Sequence, residues 1–296
     1  MTQYEIPIES KKKKSARIPI DKLHDFDGHP FKVTDNEDMD KLVESIKSQG
    51  IITPLIVRQK DNTTDEYEVI SGHRRLHASK RAGLTEVPAL IYPYSKTEAA
   101  IAVVDSNLHR ARILPSEKAF AYKMKMDALK HQGQRTDLTL AQVAPKLATE
   151  QIAESAKTSK DTVKRYIRLT NLIPDILEMV DESKIALTPA VELSYLTVEE
   201  QYDLLDTMKS EDCTPSLSQA LKMREFSKAE KLSMDVIFSI MTQPKANQKE
   251  KISFHVNDLR DYFPQGYTAA QMSRVIFRLL EDYRARTIRQ RDRDER

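Results

Sequence analysis

The sequence predicts an α+β chain: an N-terminal α/β part, a central all-helical part carrying a helix-turn-helix, and a small C-terminal α/β or helical segment. Two observations carry this reading. From Ala16 to about Asn107 short β-branched runs alternate with amphipathic stretches, and four of the six glycines fall there. Beyond Arg110 strand-like runs nearly vanish and helix starts recur. The expected divisions are 1–15, 16–112, 113–228 and 229–296, with "QPKANQKEK" at 243–251 as a linker.

Residues 1–15, with lysines at 11 to 14, hold too few apolar side chains to pack and read as a basic flexible arm or a solubilising tail. "ARIPI" is a short strand. "NEDMDKLVESIKSQG" is a helix with Met39, Leu42, Val43 and Ile46 on one face and Gly50 at its stop. "PLIVRQ" and "EYEVIS" are two strands about a polar turn. "HRRLHASKRAG" is a helix ending at Gly83, followed by strand "VPALIYPY" and helix "KTEAAIAVVDSN". Pro115 opens a helix in which Phe120, Met124 and Ala128 recur at helical spacing. Thr188–Pro189 and Thr214–Pro215 read as N-caps with proline at the first helical position, and Thr197 with Glu200 as a capping box. In the last segment "ISFHV" suggests a strand. Thr268 and Gln271 suggest a capping box before a stripe of Met272, Val275, Ile276, Leu279, Leu280 and Tyr283. That stripe suits a partner subunit or the helical part of the same chain.

Charged residues make up 31% of the chain but the net charge is only +2, so a nucleic-acid surface has to be a local patch. Cys213 is the single cysteine, which excludes an intrachain disulfide and a cysteine zinc site. With no signal-like or membrane-length apolar run, the expected location is cytoplasmic, without a membrane partner.

Three stretches carry chemistry. Gly72 stands between a strand and a helix, where free N–H groups and a partial positive charge favour an anion; Arg74 and Arg75 add guanidinium forks suited to phosphate. A solvated Arg pair is the alternative, and no Walker loop is present. His73 and His77 have helical metal spacing, but the arginines between them disfavour a divalent ion. Asp105, Asn107 and Arg110 could meet a phosphate and its Mg²⁺ if folding brings them to Gly72, or simply form a helix end. In "TEQIAESAKTSKDTVKRYIRLT", Ile152, Ala153, Ala156, Thr158, Val163 and Tyr166 fall at the core positions of a helix-turn-helix over about 149–169. Its second helix then exposes Ser159, Lys160, Thr162, Lys164, Arg165 and Arg168 for the major groove. Lys157 occupies a turn position where glycine is common; a plain hairpin with a basic face is the alternative.

Together "SIKSQGIITPLIVR", "EVISGHRRLHASKRAGLTEVPALIY", "DSNLHRARILPSEKAFAY" and the helix-turn-helix resemble the ParB family of partition proteins over roughly residues 16–180. The last third looks like that of ParB-like proteins on mobile elements. The resemblance implies a CTP- and Mg²⁺-binding N-terminal domain and a dimer that closes into a clamp on DNA. The family's Gly-Glu-Arg-Arg motif falls on Gly72, His73, Arg74 and Arg75, and its Glu-Asn-x-x-Arg motif on Ser106 to Arg110. Asn107 is then the metal-side ligand, and the nucleoside loop, including Thr53, lies near Gly50 to Leu55. His73 and Ser106 replace the two family glutamates, and "HPF" at 29–31 replaces a Gln-Pro-Arg segment, so triphosphate binding is better supported than hydrolysis. Asp105 is a candidate substitute carboxylate.

The implied function is sequence-specific binding of double-stranded, palindromic DNA by a CTP-gated homodimer in plasmid or chromosome segregation, with a ParA-type ATPase as a further partner and nucleoid or plasmid association. A weak CTPase activity is compatible with this DNA-binding role; a copy-number or transcription regulator and a ParB-fold phosphoryl-transfer enzyme are the alternatives.

Overall fold

The apolar runs of the first hundred residues build one mixed sheet. The strands are β1 (Lys14–Pro19), β2 (Leu23–Asp25), β3 (Leu55–Gln59), β4 (Tyr67–Ser71) and β5 (Glu86–Ile91), in the order β1-β5-β3-β4-β2. β1 runs antiparallel to β5 and β3 antiparallel to β4, whereas β5–β3 and β4–β2 are parallel pairs. The computed structural model describes residues 13–61, 63, 65–108, 110, 113–134, 144–242, 259–260, 262–264 and 266–294. The chain divides into two compact units, 1–243 and 244–296.

In the first unit α1 (Glu37–Gln49), α2 (His73–Ala82) and α3 (Lys96–Asn107) join the sheet. Asn36 caps α1 by accepting from the Met39 amide, and Met39, Val43 and Ile46 bury against Ala78 of α2. α3 starts with the Ser95–Glu98 capping box and is apolar almost all round. It packs with Phe26, Phe31, Ile70, Tyr92 and Tyr94 over one face of the sheet, while Ile18, Leu23, Leu55, Val57, Val69 and Leu76 fill the other. β2 was not legible beforehand: three residues are too few for an alternation pattern. Between β3 and β4, Arg58 is 1% exposed and forks onto Asp61 while its Nε donates to Glu68 at 2.6 Å.

The helical part comprises α4 (Pro115–Gln134), α5 (Ala144–Ser155), α6 (Lys160–Arg168), α7 (Pro174–Asp181), α8 (Leu187–Leu193), α9 (Val198–Ser210), α10 (Leu217–Lys228) and α11 (Met234–Met241). The capping box of Thr197 and Glu200 forms as expected. Two other expected starts do not. α8 is capped at Ala186, so Thr188 and Pro189 lie inside its first turn, where proline still has no amide bond to lose. α10 is capped by Ser216, whose Oγ accepts from the Gln219 amide, so Thr214 and Pro215 precede the helix.

α4 enters three cores. Ala121 and Ala128 pack with α3, Tyr122 and Met126 with α5 and α6, and Ala119 with the α7–α11 cluster. It also carries Lys125, whose side chain is 5% exposed; its ammonium pairs with Asp105 of α3 and donates to Ser155 Oγ of α5 at 2.8 Å.

In the second unit α12 (Ala269–Asp294) follows the expected Thr268–Gln271 box, and Phe277, Leu279, Leu280 and Tyr283 stand exposed along it. The linker and "ISFHV" lie outside the described residues, as does the 1–12 stretch of the basic arm.

Asp105→Ala leaves a buried ammonium with one hydroxyl. We expect it to cost about 2–3 kcal/mol, less than the roughly 3–5 of a fully enclosed pair because Asp105 is 41% exposed. Lys125→Met, which removes the charge itself, should cost less; urea unfolding of the two variants compares them.

Candidate functional site

At the end of β4 the backbone turns through Gly72, whose φ of +108° lies in the region L side chains avoid. A Cβ there would also stand 3.1 Å from Leu55 Cγ and 3.2 Å from Arg75 Nη2. No side chain caps the helix that follows, so the first-turn amides of α2 remain open to an anion.

The arginines divide their roles. Arg74 is exposed. Arg75 donates through Nη1 to the Thr53 carbonyl and to the Pro54 carbonyl at 2.9 Å, tying the expected nucleoside loop to the start of α2. Thr53 itself is exposed. Arg110 lies with its guanidinium carbon 5.4 Å from the centre of the Phe31 ring. Burial is the main cause holding Arg110 below the usual arginine range; Glu117 opposes the shift and the Arg74 charge adds to it. The fold thus brings Arg110 to Gly72, His73 and Arg74.

His73 is 4% exposed and packs against His29, with ring centroids 3.7 Å apart and ring planes tilted by 34°. The Nε2 atoms of both rings are buried without a hydrogen-bond partner. Burial, then the neighbouring His29 and Arg110, push His73 down to about 3, and burial likewise lowers His29. Both shifts favour the neutral imidazole. His77 instead faces Asp35, 2.9 Å away, and is separate from the pair.

Asn107 is buried, its amide donating to the Val103 carbonyl at 2.8 Å and to Ser106 Oγ at 3.2 Å. Asp105 does not replace the missing glutamate, because it is spent on Lys125. Among the described residues no group of three His, Cys, Asp or Glu side chains could hold a metal ion. One neutral amide oxygen without a carboxylate does not make a resident Mg²⁺ site.

The helix-turn-helix forms from α5 and α6 with Ile152, Ala153 and Val163 buried between them and Tyr122 and Met126 of α4 beneath. Lys157 takes a φ of +50°, and the Thr158 amide closes the turn on the Ala153 carbonyl at 2.9 Å. That conformation costs about 1 kcal/mol for a non-glycine residue. Ser159 caps α6, accepting from the Thr162 amide at 3.1 Å. Lys160 and Lys164 are exposed, paired with Glu150 and with Asp161 respectively. Arg165 reaches Thr188 at 2.6 Å.

Arg168 departs from the expected outer face. It donates to the Ser194 carbonyl at 2.9 Å and lies over the Tyr195 ring at 3.9 Å, with Arg224 on the same ring at 3.7 Å. Its position at the end of α6 turns it onto α8, so it braces the helix. Sequence reasoning also missed the His29–His73 contact; the coincidence of two departures from the family motifs, at 29–31 and at 73, was the available signal.

Two family models match this chain. The family model described as the ParB N-terminal domain matches residues 6–108, and that described as the ParB HTH domain matches residues 139–216, together more than half the chain. The chain belongs to the ParB family. Relatives include the chromosome-partitioning protein ParB of Myxococcus xanthus, 33% identical over 58% of this chain and 51% of that protein. Another is Spo0J of Thermus thermophilus, 28% identical over 71% and 70%. A third is the nucleoid occlusion protein of Listeria innocua, 28% identical over 66% and 62%. The chain spans about half the length of the M. xanthus ParB. Two similar solved structures are truncated ParB from Caulobacter crescentus. The complex with CTP-gamma-S is 25% identical, covers 61% of this chain and 92% of that one, and has a TM-score of 0.31. The complex with the centromeric parS site is 21% identical, covers 71% and 98%, and has a TM-score of 0.41. The mixed sheet followed by helices is the α+β fold expected of this ParB-family chain.

The neutral His73 makes stability depend on pH. Its folded-state pKa lies below the unfolded value of 6.5, so the unfolded chain takes the proton first as pH falls. The stabilisation is complete above about pH 6.5 and declines by about 1.4 kcal/mol per pH unit towards about pH 3. Urea midpoints at pH 7.5 and 5.0 should therefore fall further for the native chain than for His73→Gln; parallel profiles would remove the buried neutral imidazole.

Proposed function

We propose that this chain is a sequence-specific DNA-binding partition protein whose N-terminal part takes CTP. The observation that carries the DNA half is α6, a short capped helix whose Val163 is anchored in the core it shares with α5, with Thr162, Lys164 and Arg165 beside its exposed Ser159–Lys160 end. Such a helix offers its N-terminal residues to base edges and its cations to phosphates. Arg168, held by Ser194 and Tyr195, positions α6 from the other side.

Support for the nucleotide half comes from the open amides after Gly72, the exposed Arg74 and the adjacent Arg110, which suit a triphosphate. Arg75 organises the 53–54 loop, against which the nucleoside would lie. Cytosine as the base follows from family membership. With His73 and Ser106 where family glutamates stand, the nucleotide serves as a bound effector in this reading. The exposed Phe277, Leu279 and Leu280 of α12 suit a homodimer, which would read a palindromic site, and the basic arm is the proposed contact for a ParA-type ATPase.

Lys164→Ala and Arg165→Ala should each weaken binding to the cognate duplex and lower the slope of log affinity against log salt by about one. Fluorescence anisotropy across a salt series reads this, and full retention of affinity in the double variant would refute the interface. Arg74→Ala should reduce CTP affinity about tenfold or more while leaving the fold intact, as read by calorimetry.

A further inference from the structure

Among the described residues of α6 only Val163 is fully buried, and one core contact does not fix the angle at which a helix meets DNA. The remaining constraint comes from ties at the helix surface. Two arginines supply them, both reaching towards α8. Arg165 donates to Thr188, and Arg168 donates to Ser194, through Nε to Oγ at 3.2 Å and through Nη2 to the carbonyl at 2.9 Å. Arg165 is assigned to DNA in the reading above, which leaves Arg168 as the tie that persists in the complex.

Arg168 is in turn held by a second arginine through an aromatic ring. Tyr195, 42% exposed, has the guanidinium carbon of Arg168 at 3.9 Å from its centroid and that of Arg224 at 3.7 Å. Two like charges this near one centroid keep apart only on opposite faces, so the phenol ring lies between them. Arg224 comes from α10, and its Nη1 pairs at 2.6 Å with Glu192, a residue of α8 whose side chain is 17% exposed. Glu192 stands two residues before Ser194. α6 and α10 therefore both grip the end of α8, with the Tyr195 ring as the spacer.

We propose that Tyr195 and Arg224 are specificity-determining positioning residues: the Arg168–Tyr195–Arg224 sandwich sets the angle of α6, and the two outer residues act through Arg168 without contacting DNA. This rests on the DNA reading above. Hydrogen bonds to base edges weaken steeply with displacement, whereas attraction to the phosphates falls off slowly with distance. A tilt of α6 therefore costs affinity for the cognate sequence and spares affinity for DNA at large. Losing a phosphate contact does the reverse, weakening binding to every sequence and lowering the salt dependence. The sandwich also requires planar partners. A guanidinium lies flat on a ring and an ammonium does not, so Arg224→Lys keeps the charge and removes the stacking, while Tyr195→Phe keeps the ring and removes the hydroxyl.

The test is fluorescence anisotropy of the full chain across a salt series, on the duplex that the native chain enriches from a random-sequence pool and on a scrambled duplex of equal length. Tyr195→Leu and Arg224→Lys should each weaken binding to the enriched duplex about three- to tenfold, the worth of one cation–π contact, with scrambled-duplex affinity and the salt slope unchanged. Tyr195→Phe should behave as the native chain. In the Tyr195→Leu background Arg224→Lys should add nothing, while Lys164→Ala adds its full effect. Arg224→Lys alters a side chain that is 41% exposed and preserves its charge, so its reading does not hang on whether Tyr195→Leu folds. Native discrimination in Arg224→Lys would overturn the proposal, as would a salt slope lowered by about one, the mark of a direct phosphate contact. Lost discrimination in Tyr195→Phe would overturn it too, because the hydroxyl would then be the acting group. A native chain that enriches no sequence would overturn the DNA reading itself.

Discussion

The packing of the first unit depends on α4. A helix that contributes to three separate cores cannot be amphipathic in the ordinary sense, and its residues face α3, the helix-turn-helix and the α7–α11 cluster in turn. Such a helix tolerates a cation only if the cation is shared. Lys125 satisfies this by placing its ammonium between Asp105 of α3 and Ser155 of α5. Ser116 adds a second polar tie, its amide and hydroxyl both donating to Asp181 at the end of α7. The sheet and the helix-turn-helix are therefore parts of one packed unit, in which α3, which leads into the corner carrying Arg110, and α5, the first helix of the helix-turn-helix, touch the same lysine.

The surface around the start of α2 is assembled from three directions. β4 delivers Gly72 and the open end of α2, the corner after α3 delivers Arg110, and the loop from Asp25 to Phe31 delivers His29 and an aromatic platform for that arginine. The surface pairs exposed cations with buried neutral rings. Where family members place a glutamate, this chain places an imidazole that burial keeps uncharged, so the local potential is more positive than the family pattern would make it. That favours retention of a polyanion over the positioning of water for its cleavage.

Much of this was legible in the sequence where a local rule has one outcome. Gly72 and Gly50 stood at turns and take positive φ, the Asn36 end of α1 and the boxes at Thr197 and Thr268 formed, and Ile152, Ala153 and Val163 fell at the buried positions of the helix-turn-helix. Lys157 occupies a turn position where glycine is common, and its φ is +50°. What escaped depended on partners distant in sequence. Thr-Pro pairs signal a helix start, but at Thr188 and Thr214 the neighbouring Ala186 and Ser216 take the cap because the chain's path decides which residue turns first. Arg168 has the spacing of an outward residue, yet Ser194 and Tyr195 of the following segment capture it. Asp105 looked available for a metal until Lys125, twenty residues on, claimed it. The His29–His73 contact joins a loop to a helix more than forty residues later, a separation no periodicity encodes.

The central claim, that one packed unit holds a nucleotide at the start of α2, is tested most directly by hydrogen exchange of the full chain with and without CTP. The account predicts slowed exchange confined to the amides at 72–76, the segment 25–31 and the corner at 105–110, with a DNA-free chain sufficient to show it. Unchanged exchange at 72–76 under saturating CTP, or protection centred on another surface, would contradict it.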